Sequence, residues 1–482
     1  MKRKLAALAI LCLTVWLAAV GYHQTHKALP QYLDYRGEVF NIPEGDIEFL
    51  YDLTWIDEQG EKHYEQQIFK TIFELIEKAE RYILVDMFLF NSYGGKDDTF
   101  HRDLSSQLTE LLVDKKNSEP EIHIDFITDP INTVYGGSVS PEIERLRGAG
   151  IKVIVTELDG LRDSNFLYSS FWRTFLQWFG NSTRNGWLPH PFSTERGKVT
   201  LRSYLRLLNF KANHRKVVVV DSGDDMVTVV GSANPHGGSS AHSNVALLVR
   251  GPLWRSVYQT ETAVASMSGG SLQQVEEPES NKEISGEISV RILTEQQIKK
   301  ALLEQINRSE ATDSIKIAQF YLADRELIDA LAGAAERGTL VRVILDPNKD
   351  AFGYEKSGIP NRQAGYEMTR RSAPKIQLRW YDTPGEQFHT KLFILESGGQ
   401  MVVLLGSANL TRRNLDNYNL ELDVMLVLDE HSAPALSIKD YYNRIWNNEG
   451  GIYTVGIDAY DDGSLLKKML YRAQEAYGLS TF

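Results

Sequence analysis

The chain has 482 residues, of which 42% are hydrophobic and 24% are charged, as in a globular protein of two or three domains. The net charge of −12 disfavours nucleic acid as a partner, although it leaves room for a local basic pocket. Cys12 is the single cysteine, which excludes an intramolecular disulfide.

The N-terminus carries a long apolar segment behind three basic residues. Lys2, Arg3 and Lys4 precede a run from 5 to 22 that contains no charge. A membrane-spanning helix needs about 20 apolar residues and a signal-peptide core about 7–15, so residues 1–30 are either an uncleaved anchor or a cleaved signal peptide. Both alternatives place the body outside the cytoplasm, at the cell membrane or secreted, because basic residues stay on the cytoplasmic side.

The first half of the chain alternates predicted strands and helices. The predicted strands are 82–90, 122–128, 217–220, 227–230 and 245–249. A helix between the first two strands is predicted from leucines at helical spacing, Leu104, Leu108, Leu111 and Leu112. This alternation is typical of βαβ units.

The second half repeats the same order of elements. Its predicted strands are 315–321, 341–345, 392–395, 402–405 and 422–427. The helix between the first two is predicted from Leu327, Ile328, Leu331 and Ala334. The repetition predicts a mixed α/β fold of two tandem lobes, at 31–266 and 288–482, joined by a polar linker at 267–287.

An aromatic-rich insertion at 159–198 has no counterpart in the second lobe. Its aromatic rings recur at intervals near three and four residues, which favours a helix with an aromatic face. Two interpretations stay open. The rings pack on the domain body, or they form a lipid-facing patch or lid beside the site.

Two segments of the chain share one chemical layout. The first consists of His214, Lys216, Asp221 and the sequence GSAN at 231–234. The second consists of His389, Lys391, Glu396 and the sequence GSAN at 406–409. In both, the lysine follows the histidine by two residues, the carboxylate by seven and the glycine of GSAN by seventeen. The repeat predicts an active site assembled from two half-sites.

The paired residue types suit the chemistry of a phosphoryl group. On a strand, residues two apart point to the same face, so each copy presents an imidazole beside an ammonium. The lysines would neutralise phosphoryl oxygens, while one imidazole attacks phosphorus and the other protonates the leaving oxygen. Four neutral donors follow in the GSAN loops, Ser232, Asn234, Ser407 and Asn409. The spacings match neither HExxH nor an EF-hand, so no metal site is predicted.

The pattern HxKxxxxD followed by GSxN, present twice, resembles the phospholipase D superfamily. The resemblance covers about residues 40–480. The superfamily includes phospholipases D, cardiolipin synthases, phosphatidylserine synthases, some nucleases and inactive relatives. The resemblance implies two pseudo-twofold related lobes of mixed sheets flanked by helices, with the active site at their interface. It also implies a two-step reaction through a covalent phosphohistidine, without metal or cofactor.

The resemblance also implies a role for each motif residue. The catalytic set is His214, Lys216, Asp221, His389, Lys391 and Glu396. The phosphate-binding set is Ser232, Asn234, Ser407 and Asn409. Glu421 resembles the family glutamate that orients a histidine through Nδ1, and counting from the histidines matches it with Ala246 in the first lobe. Which histidine attacks stays open.

The second motif departs from the family pattern at its carboxylate. It ends in Glu396, where the family usually has aspartate. The charge is kept one methylene further from the backbone, and this acid is expected to hold the site together rather than to react. Reduced or lost activity is the alternative.

Three functions are compatible with the sequence. The leading hypothesis is a membrane-associated or exported enzyme that hydrolyses or transfers phosphatidyl groups, with phospholipid and the membrane surface as partners. A single apolar segment, and GSAN rather than GGxN, speak against cardiolipin synthase in particular. An exported nuclease would need a basic groove, for which the candidates are Arg202, Arg206, Lys211, Arg215, Arg412 and Arg413. The third hypothesis is an inactive relative that acts as a binding protein.

Overall fold

The computed structural model of the protein describes residues 1–93, 101–193, 196–275, 285–351, 354–372, 375–460 and 462–478. Part of the predicted linker, 276–284, lies outside the described residues. The strands up to the linker are β1 (Phe40–Ile42), β2 (Ile47–Ile56), β3 (Lys62–Gln66), β4 (Tyr82–Met87), β5 (His123–Thr128), β6 (Lys152–Val155), β7 (Lys216–Ser222), β8 (Asp225–Gly231) and β9 (Asn244–Arg250). The strands after it are β10 (Ile288–Thr294), β11 (Ser314–Gln319), β12 (Leu340–Leu345), β13 (Asp350–Ala351), β14 (Tyr354–Glu355), β15 (Ile376–Tyr381), β16 (Lys391–Ser397), β17 (Gln400–Gly406), β18 (Leu422–Asp429) and β19 (Thr454–Gly456).

Helices pack against the sheets, and one helix lies near each end of the chain. They are α1 (Lys2–His26), α2 (Ile68–Lys78), α3 (Leu104–Ser118), α4 (Pro141–Gly148), α5 (Phe166–Phe171), α6 (Leu201–Leu207), α7 (Leu253–Met267), α8 (Gln296–Arg308), α9 (Arg325–Arg337), α10 (Asn361–Ser372), α11 (Arg412–Leu415), α12 (Ala433–Asn447) and α13 (Leu465–Tyr477).

Two large mixed sheets share one topology. The first has the order β3-β2-β9-β8-β7-β4-β5-β6, and the second has the order β1-β10-β18-β17-β16-β11-β12-β15-β19. The run from β2 to β6 in the first matches the run from β10 to β15 in the second. In both, the last three strands are parallel and the others antiparallel. The mixed α/β class is confirmed, and each predicted strand overlaps an observed one, although the strand predicted at 82–90 ends at Met87.

The central strands are apolar on both faces because both faces are covered. On β7, Val217 and Val219 join a core shared by the two sheets, whereas Val218 and Val220 join a core beneath α2, α3 and α4. The strand β16 divides its side chains in the same way, with its outer core beneath α8, α9 and α10. The molecule is therefore layered as helices, sheet, a middle core that also contains α7 and α12, sheet and helices. Continuous apolar runs are typical of strands buried in this way.

One boundary differs from the division predicted by sequence. Residues 31–43 were expected to begin the first lobe, but β1 pairs antiparallel with β10 at the edge of the second sheet. The backbone N–H of Asp34 also donates to Glu295 at 2.8 Å, and that of Tyr35 donates to Thr294 at 2.7 Å. This segment is therefore hydrogen-bonded to the second lobe before the chain enters the first lobe.

The N-terminal helix and the insertion pack together. Among the described residues, α1 is the helix that is long and apolar enough to cross a membrane. The insertion begins with α5, which continues as a π-helical turn over Trp172–Leu176, so the predicted helix is confirmed for this part. Trp172 is fully buried, whereas Leu167, Trp178 and Trp187 are 78%, 75% and 64% exposed. Packing on the body therefore accounts for Trp172 but not for the exposed apolar side chains.

Candidate active site

The two histidines meet at the interface between the lobes. The backbone N–H of His214 donates to Leu420 of the second lobe at 2.9 Å, and that of His389 donates to Ser243 of the first lobe at 2.9 Å. Each motif is thus clamped to the opposite lobe just before β7 or β16 begins. The centroids of the two imidazoles are 6.4 Å apart. One phosphoryl group fits between rings at this separation.

Each histidine receives its Nδ1 partner from the opposite lobe, and the two partners differ in charge. Nδ1 of His214 lies 3.0 Å from Oε2 of Glu421, and Nδ1 of His389 lies 3.1 Å from Oδ1 of Asn244. Strand register therefore matches Glu421 with Asn244 and not with Ala246. Counting residues from the two histidines gave the wrong match, because the loop from GSAN to the next strand is two residues longer in the second lobe.

The serines of the two GSAN sequences hold these partners. Ser407 donates its hydroxyl hydrogen to Glu421 at 2.5 Å, and Ser232 donates to Asn244 at 3.0 Å. Both serines are fully buried. The hydroxyl hydrogens of Ser232 and Ser407 are thus engaged by these partners, and phosphate binding by the two serines stays a prediction.

The asparagines of the two GSAN sequences line a cavity between the lobes. The cavity has a volume of about 580 Å³ and is lined by both motif histidines, Asn234 and Asn409. Rings of Phe88 and Phe320 also line it. Among the described residues, Oδ1 of Asn409 has no hydrogen-bond partner. The two amides are therefore positioned to contact an occupant.

The motif lysines are buried beside the histidines. Nζ of Lys391 donates to the carbonyl of His389 at 2.8 Å, and Nζ of Lys216 donates to the carbonyl of His214. Each ammonium also lies over a ring that lines the cavity, 5.2 Å from the centroid of one phenylalanine and 5.1 Å from that of the other. The two half-sites repeat this arrangement of imidazole, ammonium and aromatic ring.

Burial governs the charges of these groups. It lowers the pKa of Lys216 to about 7 and holds the pKa of Lys391 well below its ordinary value, with Lys216 adding to the effect on Lys391. Burial also lowers the pKa of His214 to about 4 against the opposing Glu421 carboxylate. Burial and then Lys391 lower the pKa of His389. Two neutral imidazoles and two buried lysines whose charged forms lack a full counter-charge make a site suited to an anion.

Comparison with known proteins agrees with this geometry. Residues 302–446 match the family model described as cardiolipin synthase, PLD-like domain. This part of the second lobe is therefore a phospholipase D-like domain.

One solved structure shows the same fold. The chain is similar to phosphatidylserine synthase from Haemophilus influenzae Rd KW20, with 12% identity, a TM-score of 0.55 and coverage of 93% of this chain and 98% of that chain. It is also similar to Nuc, a phospholipase D family member from Salmonella typhimurium, with 22% identity, a TM-score of 0.27 and coverage of 35% of this chain and 98% of that chain. No curated protein sequence matches the chain.

The two motif carboxylates lie away from the cavity. Asp221 is five residues beyond the motif lysine on β7, roughly 16 Å along the strand. It accepts hydrogen bonds from the backbone N–H groups of Arg81 at 2.9 Å and Tyr82 at 2.8 Å. Glu396 instead pairs with Lys316 at 2.8 Å. The grouping of both carboxylates with the catalytic residues is therefore corrected, because they secure the far ends of the strands.

We expect the two motif carboxylates to matter for stability and not for chemistry. Asp221→Asn should lower the free energy of unfolding by about 2 kcal/mol, because one acceptor oxygen becomes a donor facing backbone N–H groups. The matched change Glu396→Gln keeps an acceptor for Lys316 and should cost less than about 1 kcal/mol. Urea denaturation measures both. A variant that stays fully folded but loses activity more than about 100-fold would contradict the structural role.

The buried lysines also predict how anion binding depends on pH. Lys216 has a pKa near 7 in the free protein and a higher pKa beside a bound anion, so binding takes up a proton. Sulfate keeps its charge across this range, and its affinity should fall by up to about tenfold per pH unit as the pH rises above 7. Calorimetric titration tests this, and Lys216→Met should make the slope shallower, because Lys391, whose pKa is also lowered, still takes up a proton. A flat profile in the unaltered protein would contradict the proton uptake.

Several residues that line the cavity were not among the predicted site residues. They are His190, His236, His242 and Lys356, and Arg413, which was predicted only as part of a possible basic groove. His236 and His242 lie shortly after the first GSAN, and Arg413 lies four residues after the second. Their closeness to the motifs in the sequence could have indicated that they line the site. Among the described residues, Nε and Nη2 of Arg413 are buried without a hydrogen-bond partner. This guanidinium is thus a further cation at the cavity wall.

One grouping of possible metal ligands occurs among the described residues, outside this cavity. It comprises Asp57, Glu61 and His63 at the turn between β2 and β3. The carboxylate of Asp57 already accepts from His63 at 2.7 Å and from the backbone N–H of Glu61 at 2.8 Å. These bonds account for the cluster as a turn-stabilising arrangement.

Proposed function

We propose that the protein cleaves or transfers phosphatidyl groups at phospholipid phosphodiester bonds through a covalent intermediate on His214. The observation that carries the proposal is the unequal pair of Nδ1 partners around one cavity, a carboxylate at His214 and an amide at His389. The first imidazole is the nucleophile, and the second is the proton donor and acceptor.

The carboxylate partner suits His214 to attack phosphorus. A proton held on Nδ1 by Glu421 leaves the lone pair of Nε2 free to form the nitrogen–phosphorus bond. As that bond forms, the imidazole gains positive charge, and the adjacent carboxylate stabilises it. The low pKa of His214 keeps the imidazole neutral and able to attack at neutral pH.

The amide partner suits His389 to move a proton. Asn244 accepts from Nδ1 without adding charge, and Nε2 is left for the reacting oxygen. A bound phosphodiester anion raises the pKa of this imidazole, so Nε2 takes up a proton from water when the substrate binds. That proton passes to the head-group oxygen as the phosphorus–oxygen bond breaks. In the second step the same nitrogen takes a proton from water or from an alcohol, which attacks phosphorus and releases His214.

The remaining cavity groups bind the phosphoryl oxygens. Lys216 and Lys391 neutralise the non-bridging oxygens, and their ammonium groups exchange the histidine carbonyls for the substrate. Asn234 and Asn409 add amide donors from the GSAN loops.

The ion pairs of the basic residues favour a lipid substrate over a nucleic acid. Lys211 pairs with Asp163, and Arg215 is fully buried between Glu261 and Glu295. These cations hold the fold together and do not form an open basic groove. The matched family model and the similar phosphatidylserine synthase also bear names of phospholipid enzymes.

The test is a head-group release assay on mixed phospholipid vesicles, with EDTA and a primary alcohol present. We expect turnover that survives chelation, yields a phosphatidyl alcohol, and is absent from His214→Asn and His389→Asn proteins. Absence of turnover of every lipid by the unaltered protein would overturn the proposal. Hydrolysis of single-stranded DNA in the same assay would favour the nuclease instead.

A further inference from the structure

We propose that α5 and α13, together with the end of α1, form a face that docks on a lipid bilayer and holds the mouth of the catalytic cavity against it. The docking face is defined by Leu167, Phe171, Phe175, Trp178 and Phe179 of the insertion and by Leu465, Leu466, Met469, Leu470 and Tyr477 of α13. All of these side chains are exposed.

The insertion presents an apolar stripe to solvent and not to the core. Leu167, Phe171 and Phe175 recur every four residues, and Trp178 follows on the same side. The opposite side is buried through Trp172. A helix of a globular protein normally turns its apolar face toward the core. This helix is apolar on its exposed side as well, which is typical of a helix that contacts a partner or a membrane.

The C-terminal helix repeats the arrangement. Leu466 is 77% exposed, and Met469 and Leu470 follow it at helical spacing. The inward side of α13 is fixed by Tyr471, which is fully buried. Exposed apolar residues on two separate helices are more than the scattered exposure of an ordinary surface.

The two helices are joined to each other. Oγ of Ser164 donates to the carbonyl of Gly478 at 3.1 Å, and Nδ2 of Asn165 donates to the carbonyl of Tyr477 at 2.8 Å. The start of α5 therefore contacts the end of α13, and we infer that the exposed side chains of the two helices act as one surface.

The N-terminal helix sets the depth of this surface in a bilayer. Gly21 packs so closely on Phe166 and Ser170 that no side chain fits there, and the carbonyl of Gln24 accepts from Asp163 at 3.0 Å. The uncharged run of α1 continues to residue 22, so α5 contacts α1 at the end of its apolar length. A bilayer that surrounds α1 consequently reaches the docking face, where Trp and Phe are favoured.

The cavity lies next to the insertion and α13. His190 and Phe192 of the insertion line the cavity, and Tyr471 of α13 packs on Phe320 and Tyr321, which also line it. A lipid entering from the bilayer would pass between two apolar helices before reaching the histidines. We therefore identify a bilayer, and not a protein partner, as the occupant, because the surface is continuous with a helix that fits a membrane span.

The test measures the depth of labelled side chains and requires no turnover, so its failure is distinguishable from failure of the proposed reaction. The full chain in a Cys12→Ser background carries Trp178→Cys, Leu466→Cys or, as matched control, Leu436→Cys. Leu436 is an exposed apolar residue on α12, which follows the end of β18 remote from the cavity. Each cysteine bears an environment-sensitive fluorophore in nanodiscs of phosphatidylcholine with some phosphatidylglycerol.

We expect acyl-chain-brominated lipids to quench the labels at 178 and 466 and to leave the label at 436 unchanged. Equal quenching at all three positions, or quenching at 178 or 466 no greater than at 436, would overturn the proposal.

A second arm separates docking from chemistry. Trp178→Asp combined with Leu466→Asp should lower activity on bilayer phospholipid by at least about tenfold and leave activity on a monomeric short-chain phosphodiester within about twofold. Equal losses on both substrates, or no loss on the bilayer substrate, would contradict a docking role.

Discussion

His214→Asn is expected to lower turnover by at least about 10⁴-fold on every substrate, because it removes the nucleophile itself. His389→Asn should cost as much on a phospholipid, whose leaving alkoxide needs a proton, but much less in the first step on a nitrophenyl phosphodiester. Rapid mixing with the nitrophenyl substrate measures this step.

The two variants therefore act as each other's control. His389→Asn should give a burst of nitrophenolate equal to the enzyme concentration, because the covalent intermediate forms and then fails to hydrolyse. His214→Asn should give no burst. Bursts of equal size in both variants would contradict distinct roles for the two histidines.

Glu421→Gln is expected to lower turnover by about 10²- to 10⁴-fold with little effect on folding. The amide keeps the shape of the side chain and a hydrogen bond to Ser407, but it removes the negative charge beside His214. The imidazole then lacks both its preferred tautomer and the stabilisation of its positive charge. Steady-state kinetics on a nitrophenyl phosphodiester, with melting temperature as the check on folding, measures the loss.

The matched change at the Nδ1 partner of His389 is Asn244→Ala. It removes a neutral acceptor from Nδ1 of His389 and should cost less than about tenfold. If Glu421→Gln and Asn244→Ala produce equal losses, the unequal partners do not distinguish the histidines, and the assignment of the nucleophile fails.

Much of the site could be predicted from spacing alone. His214 and Lys216 share a face because strand side chains alternate, and duplication brings in His389 and Lys391. The same periodicity also shows why Asp221 lies elsewhere, since five more residues of strand carry it roughly 16 Å away. The error came from treating the motif as one chemical unit.

The contacts between lobes could not be read from the sequence. Asn244 contacts His389 only because Ser243 pairs with the chain around that histidine, and no local pattern marks such a pairing. The roles of Ser232 and Ser407 depend on the same contacts. The attachment of β1 to the second sheet is likewise a long-range pairing that local propensity does not encode.

The central claim is that His214 carries the covalent intermediate. The most direct measurement is peptide mass spectrometry of His389→Asn protein, denatured at alkaline pH after a brief incubation with a nitrophenyl phosphodiester. We predict a phosphoryl-ester adduct on the peptide that contains His214. An adduct on His389 in the His214→Asn protein, with none on His214 in the His389→Asn protein, would contradict the account.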